Sequence, residues 1–351
     1  MTRQSLRILF VAYPLLPVSE ASAGGAEQML WTLERELHAA GHRTTVAACA
    51  GSQVSGTLHV TGILSREIDT FAKRDREHQH AIRNFLQYEE FDLIHDKSGS
   101  FFAHAANIRT PLLATLHLPR GFYNLSDWHA LGRRVTLNCV SAAQSHTFAD
   151  VPSLQGWVQN GIPIERFPLH TEKNDYLLWL GRICEEKAPH LAIEAARAAG
   201  RRLILAGHVY PFRYHQQYFD QEIQPRLGAD VEFIDLPSFA TKLDLLSHAA
   251  AVLVTSQVDE TSSLVAMEAM ACGTPVVAFR RGALPEVVAH SRTGFLVDDQ
   301  KALTSALGDL DLIRPEECRA HVERHFSACR MASEYLRLYY AILGRSIGEA
   351  A

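Results

Sequence analysis

The chain has 351 residues, enough for about two domains with a core each, and its 47% hydrophobic and 21% charged residues exclude a disordered chain or a membrane-embedded bundle. Thirty-four Lys and Arg against 39 Asp and Glu leave a net charge of −5, too acidic for a binder of duplex nucleic acid. Six cysteines without Cys-x-x-Cys pairs and 18 histidines without a compact ligand spacing fit a reducing cytoplasm and give no metal motif.

From the amino terminus, the run Leu6 to Tyr13, broken by Pro14 and Pro17, has the length of a strand rather than of a signal peptide. Short apolar β-rich runs then alternate with amphipathic stretches, the pattern of βαβ units and a covered parallel sheet. In the first half the spacing predicts strands at Ile8 to Tyr13, Thr44 to Cys49, Phe91 to His95, Leu112 to His117 and Leu137 to Ser141, with helices over 25–40, 66–89, 99–107 and 142–149. A polar, proline-bearing stretch from Gln159 to Asn174 reads as a connection. The second half predicts strands at Tyr176 to Leu180, Leu203 to Ala206, Val231 to Ile234, Val252 to Thr255, Val276 to Phe279 and Phe295 to Val297, before a long helical tail from about Glu316 to Ile347. This divides the chain into a first domain over 1–160, a second domain over 161–330, and a last helix over 331–351 that crosses back toward the first domain. Open parallel sheets bind ligands at the carboxyl ends of their strands, so a ligand is expected in a crevice between the two domains. A nicotinamide site is a poor match, because no glycine follows the first strand until Gly24 and Gly25.

Candidate chemistry follows in chain order. Gly24 and Gly25 open the first long helix and offer a backbone N–H cradle, though a helix entry alone also favours glycine. His117 closes its strand at the binding edge, as a ligand contact or a structural histidine. The segment after it carries Arg120, Phe122 and Tyr123, either an acceptor platform or a packed surface loop. Gly181 permits a sharp turn at a strand end, and Arg182 and Lys187 beyond it are two cations suited to a pyrophosphate, unless Glu185 and Glu186 pair with them. Glu260 leaves the strand Val252 to Thr255 on a loop where a solvated acid is equally at home. Thr261, Ser262 and Ser263 are natural helix caps, and the free N–H groups of the following turn can hold an anion. Glu268 sits in an otherwise apolar helix and needs a partner, either a vicinal diol such as ribose or a buried arginine.

As a set, these residues resemble the family-4 retaining glycosyltransferases. The signature Glu-x7-Glu followed by Ala-Met-Ala-x-Gly-x-Pro-Val-Val-Ala reads here as Glu260 to Glu268 and then Ala269 to Ala278. Gly24-Gly25-Ala-Glu, Phe91 to His95, the His117 strand end, Gly181-Arg182 with Glu186-Lys187, and Pro285-Glu286-Val extend it over nearly the whole chain. The resemblance implies an α/β GT-B fold of two tandem Rossmann-like, doubly wound domains facing a central cleft. It also implies transfer of a hexose from a nucleotide-diphospho-sugar, UDP by family habit, with retention and without cofactor or bound metal.

By matching positions, Arg182 and Lys187 would hold the donor diphosphate, Glu268 the ribose, and Glu260 a sugar hydroxyl. Main-chain groups at Ser262, Ser263, Leu264 and Val265, with Gly24, Gly25 and Gly181, would assist, and His117 would meet the sugar. The chain departs from the family in having Thr261-Ser262-Ser263 for Pro-Phe-Gly, Ala188 for the glycine after the lysine, and no glycine in Phe233 to Ser238. The charge-mixed stretch 66–89 is unlike a lipid-binding helix, so the expected acceptor is a soluble small molecule. Competing readings are a non-catalytic nucleotide-sugar binder and an epimerase or phosphorylase of the same fold.

Overall fold

The computed structural model describes residues 5–345 except 21, 23, 64–70, 106–107, 124, 126 and 132–133. The chain forms two units, one of residues 1–161 with 328–351 and one of residues 162–327. The expected helical positions 66–70, with Arg66, Glu67 and Asp69, lie outside the described residues, as do 106–107 and the end of the tail.

The first unit begins with β1 (Arg7–Val11), α1 (Gly25–Ala39), β2 (Arg43–Cys49), β3 (Thr57–Gly62), α2 (Phe71–Phe85) and β4 (Leu93–Asp96). It continues through β5 (Leu112–Thr115), β6 (Val135–Cys139), α3 (Ala142–His146) and β7 (Leu154–Trp157). These strands make one parallel sheet in the order β3-β2-β1-β4-β5-β6-β7. β3 and β7 were not expected from the sequence. Both lie at sheet edges and are only half-buried, so their residues lack the continuous apolar run that marks the inner strands.

The second unit carries β8 (Tyr176–Arg182), α4 (Pro189–Ala198), β9 (Arg202–His208), α5 (Arg213–Tyr218), β10 (Val231–Asp235), α6 (Phe239–His248) and β11 (Ala251–Val254). After it come α7 (Leu264–Ala271), β12 (Val276–Phe279), α8 (Leu284–Val287), β13 (Gly294–Val297), α9 (Gln300–Ala306) and α10 (Pro315–His325). Its sheet is also parallel, in the order β10-β9-β8-β11-β12-β13. Side-chain caps start three of these helices: Ser238, Ser263 and Asp299 each accept a first-turn N–H. The half-buried Lys173 donates to the Cys272 carbonyl at the end of α7, placing a cation where the helix dipole is negative.

The helical tail is broken rather than continuous, because Phe326 and Ser327 separate α10 from α11 (Ala328–Ile342). α11 packs with the first unit. Its Tyr335 and Tyr339 lie one turn apart on a fully buried face, and Tyr339 is hydrogen-bonded to His95 Nδ1 at 2.6 Å. Among the described residues, no helix is long and apolar enough to cross a membrane.

Each sheet has a point where the chain reverses its direction of growth: between β1 and β4 in the first unit, and between β8 and β11 in the second. The loops leaving neighbouring strands part company there, which opens a crevice at their carboxyl ends. The loops after β8 and β11 carry Arg182, Lys187 and Glu260, and the loop after β1 ends at Gly24 and Gly25.

Candidate functional site

The loop after β8 is held against the loop after β11 by a compact set of hydrogen bonds. The Thr255 hydroxyl accepts from Trp179 Nε1 at 3.0 Å and points its own proton at the carbonyls of Lys187 and Ala188, 3.0 and 2.8 Å away. Gln257 N donates to the Glu186 carbonyl at 2.8 Å, and Ser256 Oγ donates to the same oxygen at 3.3 Å. The result is that Lys187 Nζ donates to Glu260 Oε1 in a short ion pair whose carboxylate is largely buried. Two residues 73 positions apart in the chain therefore form one charged unit at the sheet's switch point.

Gly181 is not at a turn, contrary to the sequence expectation. It is the penultimate residue of β8 and pairs with Gly207 of β9. A Cβ on Gly207 would lie 1.8 Å from the Gly181 carbonyl oxygen, so the pair of glycines permits a close strand approach just before Arg182. The Arg182 side chain is exposed. Partial burial pulls its pKa down, but Cys184 and Glu186 beside it outweigh this and leave it raised, so the guanidinium is a fixed cation. Ala188, where a glycine was expected, has φ 46° and ψ 53°, the left-handed conformation that costs a residue with a Cβ about 1–2 kcal/mol. That backbone turn explains why glycine suits the position, and the lacing by Thr255 explains how alanine is held there.

Ser263 is the N-cap of α7, and its Oγ accepts from Ala266 N at 3.4 Å. The N–H groups of Leu264 and Val265 begin the helix, where no carbonyl one turn earlier can receive them. Ser262 Oγ is buried without a hydrogen-bond partner among the described residues. A glycine supports this segment from below. Gly282 has φ +52°, and a Cβ there would lie 2.3 Å from the Glu260 carbonyl oxygen, while Ala283 N donates to that oxygen at 2.7 Å.

Glu268 is 4% exposed, as an acid in an apolar helix must be, but its partner is not an arginine. Lys242 of α6 donates to Glu268 Oε1 at 2.8 Å, and its ammonium also lies 5.7 Å from the Phe239 ring centre. Lys242 was not singled out in the sequence. Its position in the first turn and a half of α6, four residues after a serine cap, carries no signal that would separate it from a surface lysine.

In the first unit, Gly24 is the N-cap of α1 with no side-chain cap, and the buried Glu27 folds its carboxylate back so closely that a Cβ on Gly24 would meet Oε2 at 2.0 Å. β5 ends at Thr115, two residues before His117. Burial, and then the charge of Lys97, hold the His117 imidazole well below its ordinary pKa and keep it neutral. Lys97 follows β4, is 3% exposed, and among the described residues has no hydrogen-bond partner for Nζ, which rests 5.2 Å from the Tyr335 ring centre. Burial brings its pKa down to about 7. Sequence reading missed it, although a lysine directly after an apolar strand at a switch point is itself a signal. Of the three acceptor candidates, Arg120 is held by Asp150 and by the Thr147 carbonyl. Tyr123 packs edge-on against Phe102, Trp128 and Phe148, and Phe122 alone is exposed.

Two family models match the chain: Glycosyltransferase Family 4 over residues 23–155 and Glycosyl transferases group 1 over residues 174–310. Among curated proteins, the D-inositol 3-phosphate glycosyltransferase of Pseudarthrobacter chlorophenolicus is 34% identical over 194 residues, covering 50% of this chain and 44% of the relative. That of Mycobacteroides abscessus is 36% identical over 180 residues, covering 49% and 39%. The matches thus span less than half the length of these relatives. Among solved structures, AviGT4, a glycosyltransferase involved in avilamycin A biosynthesis, aligns with TM-score 0.74 at 24% identity over 97% of this chain and 99% of its own. Sucrose-phosphate synthase from Thermosynechococcus elongatus aligns at 0.80 with 21% identity over 97% and 100%. Anabaena HepE, solved with UDP and glucose, aligns at 0.74 with 19% identity over 95% and 99%. At such identities the structures show a shared fold.

Proposed function

Because the chain belongs to the family-4, group-1 glycosyltransferases of GT-B fold, we propose that it moves a hexose from a nucleotide-diphospho-sugar, UDP-linked, to a hydroxyl of a small soluble acceptor with retention at the anomeric carbon. The observation that carries this reading is the Lys187–Glu260 pair beside Arg182 at the switch point of the second sheet. In this reading Arg182 and Lys187 neutralise the diphosphate as it leaves, and Glu260 receives a sugar hydroxyl while keeping the lysine in place. The growing charge on the leaving group is what these cations stabilise, so no metal is needed for the transfer. The leaving phosphate oxygen accepts the proton of the attacking acceptor hydroxyl on the same face of the sugar.

Ser262 Oγ and the first-turn N–H groups of α7 add donors to the diphosphate. Lys242 orients the Glu268 carboxylate, whose other oxygen meets the ribose. Gly24, Gly25 and the neutral His117 belong to the first unit, where they follow β1 and β5 at the carboxyl edge of its own sheet. The curated relatives, named for an inositol phosphate, support a small polyol-like acceptor rather than a lipid. The unpaired cysteines support a reducing, cytoplasmic setting.

Incubation of the protein with UDP-hexose alone, with phosphate, and with candidate polyol acceptors, read by chromatography, tests the reading. Acceptor-dependent loss of donor is expected, and Arg182→Ala and Lys187→Ala should each slow it by about 2–4 kcal/mol of transition-state stabilisation, roughly 30- to 1,000-fold. Conversion without acceptor indicates an epimerase, and donor binding with no turnover indicates a binding protein. Full activity in both variants overturns the mechanism.

A further inference from the structure

Beside the donor loop, and taking no part in the transfer described above, lie a cysteine, a glutamate and a histidine that converge from two elements. Cys184 and Glu186 belong to the turn between β8 and α4, and His215 to α5. One ligand atom from each lies within 4.8 Å of the others. We infer that Cys184, Glu186 and His215 form a binding site for a single zinc-class transition-metal ion that ties α5 to the loop bearing Arg182 and Lys187.

The strongest argument is the state of His215. It is 0% exposed, yet among the described residues neither Nδ1 nor Nε2 has a hydrogen-bond partner. A buried polar atom left unsatisfied costs about 1–3 kcal/mol, so a ring nitrogen that meets the Cys184 thiol and the Glu186 carboxylate within 4.8 Å calls for a partner the three can share. The rings of Tyr210, Phe212 and Tyr214 surround the imidazole and give it no donor or acceptor in exchange. They pack edge-on against the ring and hold its orientation.

The donor set selects the ion. Thiolate, imidazole and carboxylate suit zinc and its neighbours, whereas magnesium and calcium want several oxygens. Bonds of about 2.0–2.3 Å in a tetrahedron put ligand atoms about 3.5 Å apart, so the three side chains need to draw in by roughly an ångström. Burial, reinforced by the charge of Arg182, keeps His215 neutral with a lone pair to give. Cys184 is a thiol in its buried state, its Sγ directed at the Arg182 carbonyl at 3.5 Å, and an entering ion releases that proton to solvent. Three protein ligands leave a fourth position for water. The ion's part is structural, since it fixes Glu186, whose carbonyl already receives Gln257 N, and with it the turn that presents Lys187.

The test uses the full chain carrying Cys329→Ser, which removes the exposed thiol. After dialysis against a chelator, titration with Co²⁺ is expected to raise a thiolate-to-cobalt charge-transfer band that saturates at one ion per chain and is bleached by Zn²⁺. Cys184→Ser should abolish the band, and His215→Gln and Glu186→Gln should each weaken cobalt binding at least tenfold. X-ray absorption at the zinc edge of the same protein, which needs no variant that must fold, should report one sulfur ligand with nitrogen and oxygen neighbours. A chain that takes up no cobalt at equimolar concentration, a band that survives Cys184→Ser, or a zinc edge without sulfur overturns the inference, whatever the protein does with a nucleotide-sugar.

Discussion

Glu27 shows how a single side chain can carry a cost that its surroundings set. It lies in the first turn of α1, where the helix dipole favours an acid, but burial dominates and lifts its pKa to about 7. The folded protein therefore binds this proton more tightly than the unfolded chain between about pH 4.5 and 7, and stability from this group falls as pH rises through that window. Glu27→Gln, which keeps the shape without the charge, should stabilise the protein at pH 8 by up to about 3 kcal/mol and leave it nearly unchanged at pH 4.5. Urea unfolding at the two pH values checks this, and an equal gain at both would contradict it. The Glu268–Lys242 pair is the opposite case. The acid is buried, but a lysine at 2.8 Å meets the cost of its burial locally.

At the scale of elements, the site depends on loops that brace one another. Glu260 stands on a stretch of backbone that Gly282, in the turn before α8, touches from below. Gly282→Ala forces a left-handed alanine, about 1–2 kcal/mol, and pushes its Cβ into the Glu260 backbone, which must then shift. A total loss of about 2–3 kcal/mol is expected in unfolding experiments, with donor turnover reduced at least tenfold because Lys187 moves with its partner. A variant of unchanged melting temperature and full turnover would show that the loop yields freely. Thr255 plays the same bracing part from the other side, with one hydroxyl holding Trp179, Lys187 and Ala188 in register.

Across the whole molecule, the titration behaviour is dominated by histidines that burial keeps neutral. His59, His78, His95, His117, His190, His215 and His321 all have lowered pKa values, His78 down to about 4. Below about pH 6.5 the unfolded chain takes up protons that these groups refuse in the native state, so the stability they contribute is lost as pH falls. Glu27 and Asp96, raised to about 7 and about 6, act in the other direction but are two against seven. The protein should lose at least about 2 kcal/mol between pH 7 and pH 5, well before its ordinary carboxylates titrate. Thermal melts across that range check it, and a flat melting temperature would count against it.

The sequence by itself determined the fold class, because alternating β-rich runs and amphipathic stretches leave a covered parallel sheet as the way to bury so many apolar strands. It also marked Glu268 as an acid in need of a partner, since its apolar neighbours fix its burial whatever the packing. Tertiary structure alone decided that the partner is Lys242 and that Lys187 meets Glu260. It likewise brought His215 to Cys184 across 31 positions of chain. Local pattern records which face of an element is buried. Charge pairing depends on which strands become neighbours and on loop turns such as Ala188 and Gly282, and these are set by contacts far apart in the chain.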